Sequence, residues 1–76
     1  MVERTVGGRR VWRVRKVHRS IDAELYEDEG AHEVEVRLVY DERIIYTRRW
    51  NTRQEAAADL HAKLADLERA GWTAHW

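Results

Sequence analysis

Apolar and polar positions alternate along most of the first fifty residues, and the period then changes. From Arg9 to His18, Trp12 and Val14 fall on one side, and Val11, Arg13, Arg15 and Val17 on the other. This two-residue period is that of a half-buried strand. Ser20 to Glu27 alternates again, with Ile21, Ala23 and Leu25 set against Asp22, Glu24 and Tyr26. Between them, His18-Arg19-Ser20 lacks Gly, Pro and Asn and is a weak turn signal. Two strands with a tight turn and one long bulged strand both fit residues 9–27, and the weak turn favours the long strand. Glu27-Asp28-Glu29-Gly30 reads as a turn.

The cleanest alternation runs from His32 to Tyr40, with Val34, Val36, Leu38 and Tyr40 inward and Glu33, Glu35, Arg37 and Val39 outward. Asp41-Glu42-Arg43 turns the chain. Ile44 to Trp50 returns with Ile44, Tyr46 and Trp50 inward and Ile45, Thr47 and Arg49 outward. A three-residue turn aligns Leu38 with Tyr46, Val34 with Trp50 and Glu35 with Arg49, a register that suits both hydrophobicity and charge. It also leaves Arg48 on the inward face, which a bulge or an edge position would relieve.

At Thr52 the period becomes helical. Thr52-Arg53-Gln54-Glu55 fits a capping box, and the Ala-rich run behind it contains no Gly, Pro or β-branched residue. Ala56, Ala57, Leu60, Leu64 and Leu67 share one stripe, opposite Asp59, Lys63, Asp66 and Arg69. Gly71 followed by Trp72 predicts a Schellman stop, with Trp72 folding back on Leu67. Residues 72–76 read as a short last strand or as an apolar tail packed on the core.

Strands followed by one helix define an α+β class. The expected architecture is an antiparallel meander of three to four strands with one C-terminal helix packed across one sheet face. Residues 1–8, which include Gly7-Gly8 and show no period, read as a flexible leader, although Val2 and Val6 also suit an extended strand. Residues 9–76 read as a single domain.

Composition sharpens this picture. A chain of 76 residues buries roughly two-thirds of its unfolded surface, and with no cysteine neither a disulfide nor a thiolate zinc site staples it. Small scaffolds of this kind often gain stability by self-association, so a homodimer is a natural expectation. No membrane span and no secretory signal pattern is present, and the expected location is cytoplasmic.

The net charge is zero, but the charges come in blocks: +6 over residues 1–19, −8 over 20–42, +4 over 43–53 and −2 over 54–76. In a meander these blocks lie side by side and neutralise one another across strands. Arg outnumbers Lys twelve to two. Compositional bias explains that ratio as well as any need for bidentate contacts does.

With the helix on one face, the other sheet face is open. Its candidate binding residues are Arg13, Arg15, Arg37, Val39, Ile45, Thr47 and Arg49. One reading is a protein contact centred on Val39 and Ile45 with a charged rim, including contact with a second copy. The alternative is nucleic-acid binding through Arg9, Arg10, Arg13, Arg15, Arg48 and Arg49. The Thr52-x-x-Glu55-Ala56-Ala57 helix entry, placed behind a sheet of strands, resembles the integrase-arm and related DNA-binding modules. That resemblance covers the last third of the chain and implies phosphate contacts from the sheet arginines. The acidic block departs from it, because it lies on the same sheet.

The bland reading of the face is a solvated surface laced with Glu–Arg pairs. The tryptophans Trp12, Trp50 and Trp72 read as core. No His-x-x-x-His spacing joins His18, His32, His61 and His75, and no nucleophile sits beside a base. No metal, cofactor or catalytic role is expected. The resulting expectation is a non-enzymatic binding or accessory domain.

Overall fold

The computed structural model describes residues 7–27 and 33–75. Strands β1 (Gly7–Lys16), β2 (Arg19–Glu27), β3 (Val34–Tyr40) and β4 (Arg43–Trp50) form an antiparallel meander. Helix α1 (Arg53–Arg69) follows, and a short strand β5 (Thr73–His75) adds beside β1. The five-stranded order is β4-β3-β2-β1-β5. The helix therefore leaves one edge of the sheet, crosses a face, and delivers β5 to the other edge. This is the expected α+β meander with the short last strand present.

Residues 9–27 are two strands, not the single long strand favoured by the weak turn. The chain reverses at Val17-His18, between paired Lys16 and Arg19. Val17 takes a left-handed φ of 58° there, an unusual conformation for a β-branched residue, which is why no turn residue announced it. A bulge is also present, at Val11, where the β1–β2 register shifts between Arg10 and Trp12. It turns Val11 towards the groove beside α1 rather than to the open face expected from simple alternation. Strand β1 begins at Gly7, so the last two residues of the expected leader belong to the sheet. At Gly8 an added Cβ would stand 2.3 Å from the Tyr26 ring. Glycine lets that ring lie over the strand. Val2, Val6, the turn at Asp28–Gly30, His32 and Trp76 lie outside the described residues.

The β3–β4 register is as expected from Leu38↔Tyr46 down to Val34↔Trp50, including Glu35↔Arg49. The turn that sets it differs. A two-residue turn at Asp41-Glu42, both with positive φ, is followed by a bulge at Ile45. The bulge absorbs the residue assigned to a longer turn. It also sets Ile44 opposite Val39 rather than on the core face, and Ile44 is exposed.

The core lies between the sheet and α1: Trp12, Val14, Ile21, Ala23, Leu25, Val34, Val36, Leu38, Ala56 and Leu60, flanked by Tyr40, Tyr46, Trp50, Leu64, Leu67 and Trp72. Both helix caps form, the C-terminal one as predicted and the N-terminal one with the Glu55 carboxylate meeting the Thr52 hydroxyl rather than its amide. The Glu55 amide donates to Thr52 Oγ1 at 3.1 Å, and the Thr52 hydroxyl donates to the Glu55 carboxylate. At the C-terminus the Trp72 amide reaches Leu67 O and the Gly71 amide reaches Glu68 O, with Gly71 at φ 99°; this pair of bonds is the Schellman pattern. Lys16 Nζ from β1 donates to Ala70 O at 2.8 Å, placing a cation where the helix dipole favours one. The stripe is narrower than predicted, since Ala57 is exposed.

Candidate functional site

The open face is built from rows across the strands. Pairing sets Arg13, Asp22, Val39 and Ile44 in one row. Arg10, Glu24, Arg37 and Thr47 form the next, and Gly8, Tyr26, Glu35 and Arg49 the third. Arg15 and Ser20 stand above them, next to Thr73.

Two of these rows are chemically closed. Arg13 forks onto Asp22, with its Nη2 2.9 Å from Oδ2. Arg37 donates to Glu35 and stacks over the Tyr26 ring, 4.1 Å from its centroid. Thr47 donates to the same Glu35 carboxylate, and Arg49 approaches it at 3.7 Å. The Tyr26 hydroxyl donates to Glu24. Hydrogen bonding from Arg13 holds the Asp22 carboxyl below its ordinary value. Hydrogen bonding from Arg37 does the same for Glu35 against the opposing effect of burial. The Tyr26 hydroxyl is pushed up by its bond to Glu24.

The structure thus gathers Arg13, Arg15, Arg37, Val39, Ile45, Thr47 and Arg49 on one sheet but commits three of the four arginines to carboxylates. The second set, Arg9, Arg10, Arg13, Arg15, Arg48 and Arg49, is not gathered on one surface. Arg9 lies opposite Leu25 and Arg48 opposite Val36, both on the helix side. Arg48 resolves its inward position by lying over the Trp50 ring, 3.9 Å from the centroid, on an outer strand.

What is left unsatisfied is the β4 side. Ile44 and Ile45 are 53% and 52% exposed, and Val39 lies half-buried beside them. β4 is the outermost strand, so one of its backbone edges has no partner among the described residues. All of its residues except Tyr46 and Trp50 are exposed.

One group escaped the sequence reading. Asp59 was assigned to the solvent face of the helix, yet its side chain is 6% exposed. Its Oδ2 accepts from the Tyr46 hydroxyl at 2.8 Å and from Trp50 Nε1 at 3.0 Å, and its Oδ1 from Lys63 at 3.1 Å. Burial pushes this carboxyl up, and the three donors more than offset that, leaving it below the ordinary aspartate value. Lys63 is raised in turn by its bond to Asp59, and lies over the Tyr46 ring. Both carboxylate oxygens of Asp59 accept from structural donors, so the cluster ties α1 to β4 rather than presenting a free acid or base. Tyr46 and Trp50 on the neighbouring strand were the available signal: aromatics with polar tips need an acceptor when buried.

A groove of about 250 Å³ separates β1 from α1, lined by Val11, Trp12, Leu25, Leu60 and Leu64, with Arg9 and His61 among its polar lining residues. Among the described residues no group of His, Asp or Glu is placed to hold a metal ion, and no helix is long and apolar enough to cross a membrane.

Comparison with protein-family models, with curated proteins and with solved structures returns no match.

Proposed function

We propose that this chain is a non-enzymatic protein-binding domain, located in the cytoplasm, whose contact surface is the β4 side of the open sheet face. The observation that carries this reading is the pair Ile44 and Ile45, about half exposed beside Val39, on a face whose next two rows are hydrogen-bonded to each other. Solvated sheet faces do not need two adjacent isoleucines, and an apolar centre with a charged rim is how contact surfaces are built. A second copy of the chain is one candidate occupant.

The test is sedimentation and amide NMR over a range of protein concentrations, with and without Ile45→Glu. Self-association through this corner predicts concentration-dependent shifts at Val39, Ile44, Ile45 and Thr47 that the substitution removes. An oligomer that survives Ile45→Glu places the contact elsewhere.

A nucleic-acid reading draws support from one place, the β1–β2 hairpin end. There Arg15, Arg19, His18 and Ser20 line a polar hollow of about 200 Å³, and Arg15 and Arg19 make no ion pair among the described residues. Phosphate binding there predicts affinity that falls steeply with salt, with shifts confined to residues 15–20.

A further inference from the structure

The edge of β4 selects its occupant by charge. From Arg43 to Arg53 the chain carries four arginines and no acidic residue. Arg43 and Arg48 make no ion pair among the described residues, and Arg49, 70% exposed, reaches Glu35 only at 3.7 Å. A second copy docked edge to edge would set this strand against its own reverse, six arginines across one ladder with no carboxylate between them. Like charges across a strand pair are destabilising.

The apolar corner cannot offset that. Even with Ile44 and Ile45 of both copies covered, burial of their exposed halves does little more than offset the freedom lost on association and leaves nothing against the repulsion. Contact through the corner needs the backbone ladder as well. The occupant therefore has to supply an unpaired strand and negative charge together.

We infer that β4 receives an extended acidic segment of another protein, which adds as a sixth strand with carboxylates on the helix side facing Arg43 and Arg48 and apolar side chains on the open side against Ile44 and Ile45. Strand addition of this kind draws affinity from main-chain bonds and specificity from alternate side chains. This deepens the protein-binding reading and rests on it. The arginines serve two ends: they guard the free edge against its own kind and mark it for an opposite charge.

The test uses the full chain and two synthetic extended peptides, one alternating glutamate with valine and one alternating lysine with valine. The expected result is binding of the glutamate peptide alone. It should shift the backbone amides of residues 43–50, and the affinity should fall about tenfold as salt is raised from low to physiological strength. The double substitution Arg43→Glu with Arg48→Glu should reverse the preference, while an unchanged circular dichroism spectrum shows the fold intact. Equal binding of both peptides at β4 overturns the charge selection but leaves the protein-binding surface standing. Shifts at residues 43–50 that depend on protein concentration and not on either peptide give the edge to a second copy and overturn the inference. If neither peptide nor concentration moves these amides, the inference falls along with the surface it rests on.

Discussion

Asp59 shows how much one side chain carries in a domain this small. It joins strand β4 to helix α1 through Tyr46, Trp50 and Lys63. Asp59→Ala would leave these donors without their acceptor and should cost about 2–4 kcal/mol in urea unfolding. The same group sets the response to acid. Asp59, Asp22 and Glu35 all have folded-state pKa values held below their ordinary ones. The unfolded chain therefore binds protons first as pH falls. Stability from these groups is present in full above the unfolded carboxylate value of about 4 and is lost as pH drops through the lower folded values. A urea midpoint measured against pH should decline below about pH 5 in the native chain and less steeply in the Asp59→Ala variant. Equal slopes would remove Asp59 from that account. Asp59 was misplaced by pattern reading because helical periodicity reports only apolar burial. A polar residue at the stripe's margin is drawn in by partners on another element, which no local period records.

At the scale of elements, the turns are the weakest local fit between sequence and backbone. Val17, Asp41 and Glu42 have φ values of 58°, 50° and 63°, a region that costs L-residues other than Asn or Asp roughly 1–2 kcal/mol. Val17→Gly should therefore raise the thermal midpoint, by about 0.5–1 kcal/mol in stability after the entropy of glycine is subtracted. A loss of stability would mean that the exposed valine contacts something. The helix ends are the reverse case. Thr52→Ala should cost about 1 kcal/mol, and Gly71→Ala about the same, because φ is 99° there. This contrast explains what could be read beforehand. The helix was legible from Thr52 to Trp72 because cap, stripe and stop all follow local rules, and the alternation of Val34 to Leu38 was equally plain. The two bulges were not, since one extra residue at Val11 or Ile45 leaves composition unchanged and moves only which side chains share a face. The open face was therefore correct in outline but missed Ile44, one of the two residues that most define it.

For the whole molecule, the zero net charge conceals an ordered layout. The acidic block, from Asp22 to Glu35 where described, sits in the middle of the sheet between two basic strands, and its carboxylates quench arginines from both sides, Arg13 from β1 and Arg49 from β4. This leaves positive charge at the two flanks. A charge-reversed Glu35→Lys should release Arg37 and Arg49 together. We expect it to lower stability by about 1–2 kcal/mol and to raise affinity for DNA at low salt, a gain that gel retardation would show directly. No gain would place the face outside any nucleic-acid role.

The last strand has a consequence for the order in which this molecule comes apart. β5 holds β1 across only three residue pairs, Arg13 to Arg15, and these partners are some sixty positions apart in the chain. The β1–β2 and β3–β4 hairpins close two-residue turns, whereas β5 can find its place only after α1 has crossed the sheet. In hydrogen–deuterium exchange the amides of β5 should accordingly exchange through a local opening, orders of magnitude ahead of those in β2 and β3, which exchange only when the whole domain unfolds. Each such opening frees the outer side of β1. The native protein thus alternates between a sheet whose second edge is the three-residue β5 and one whose second edge is the ten-residue β1.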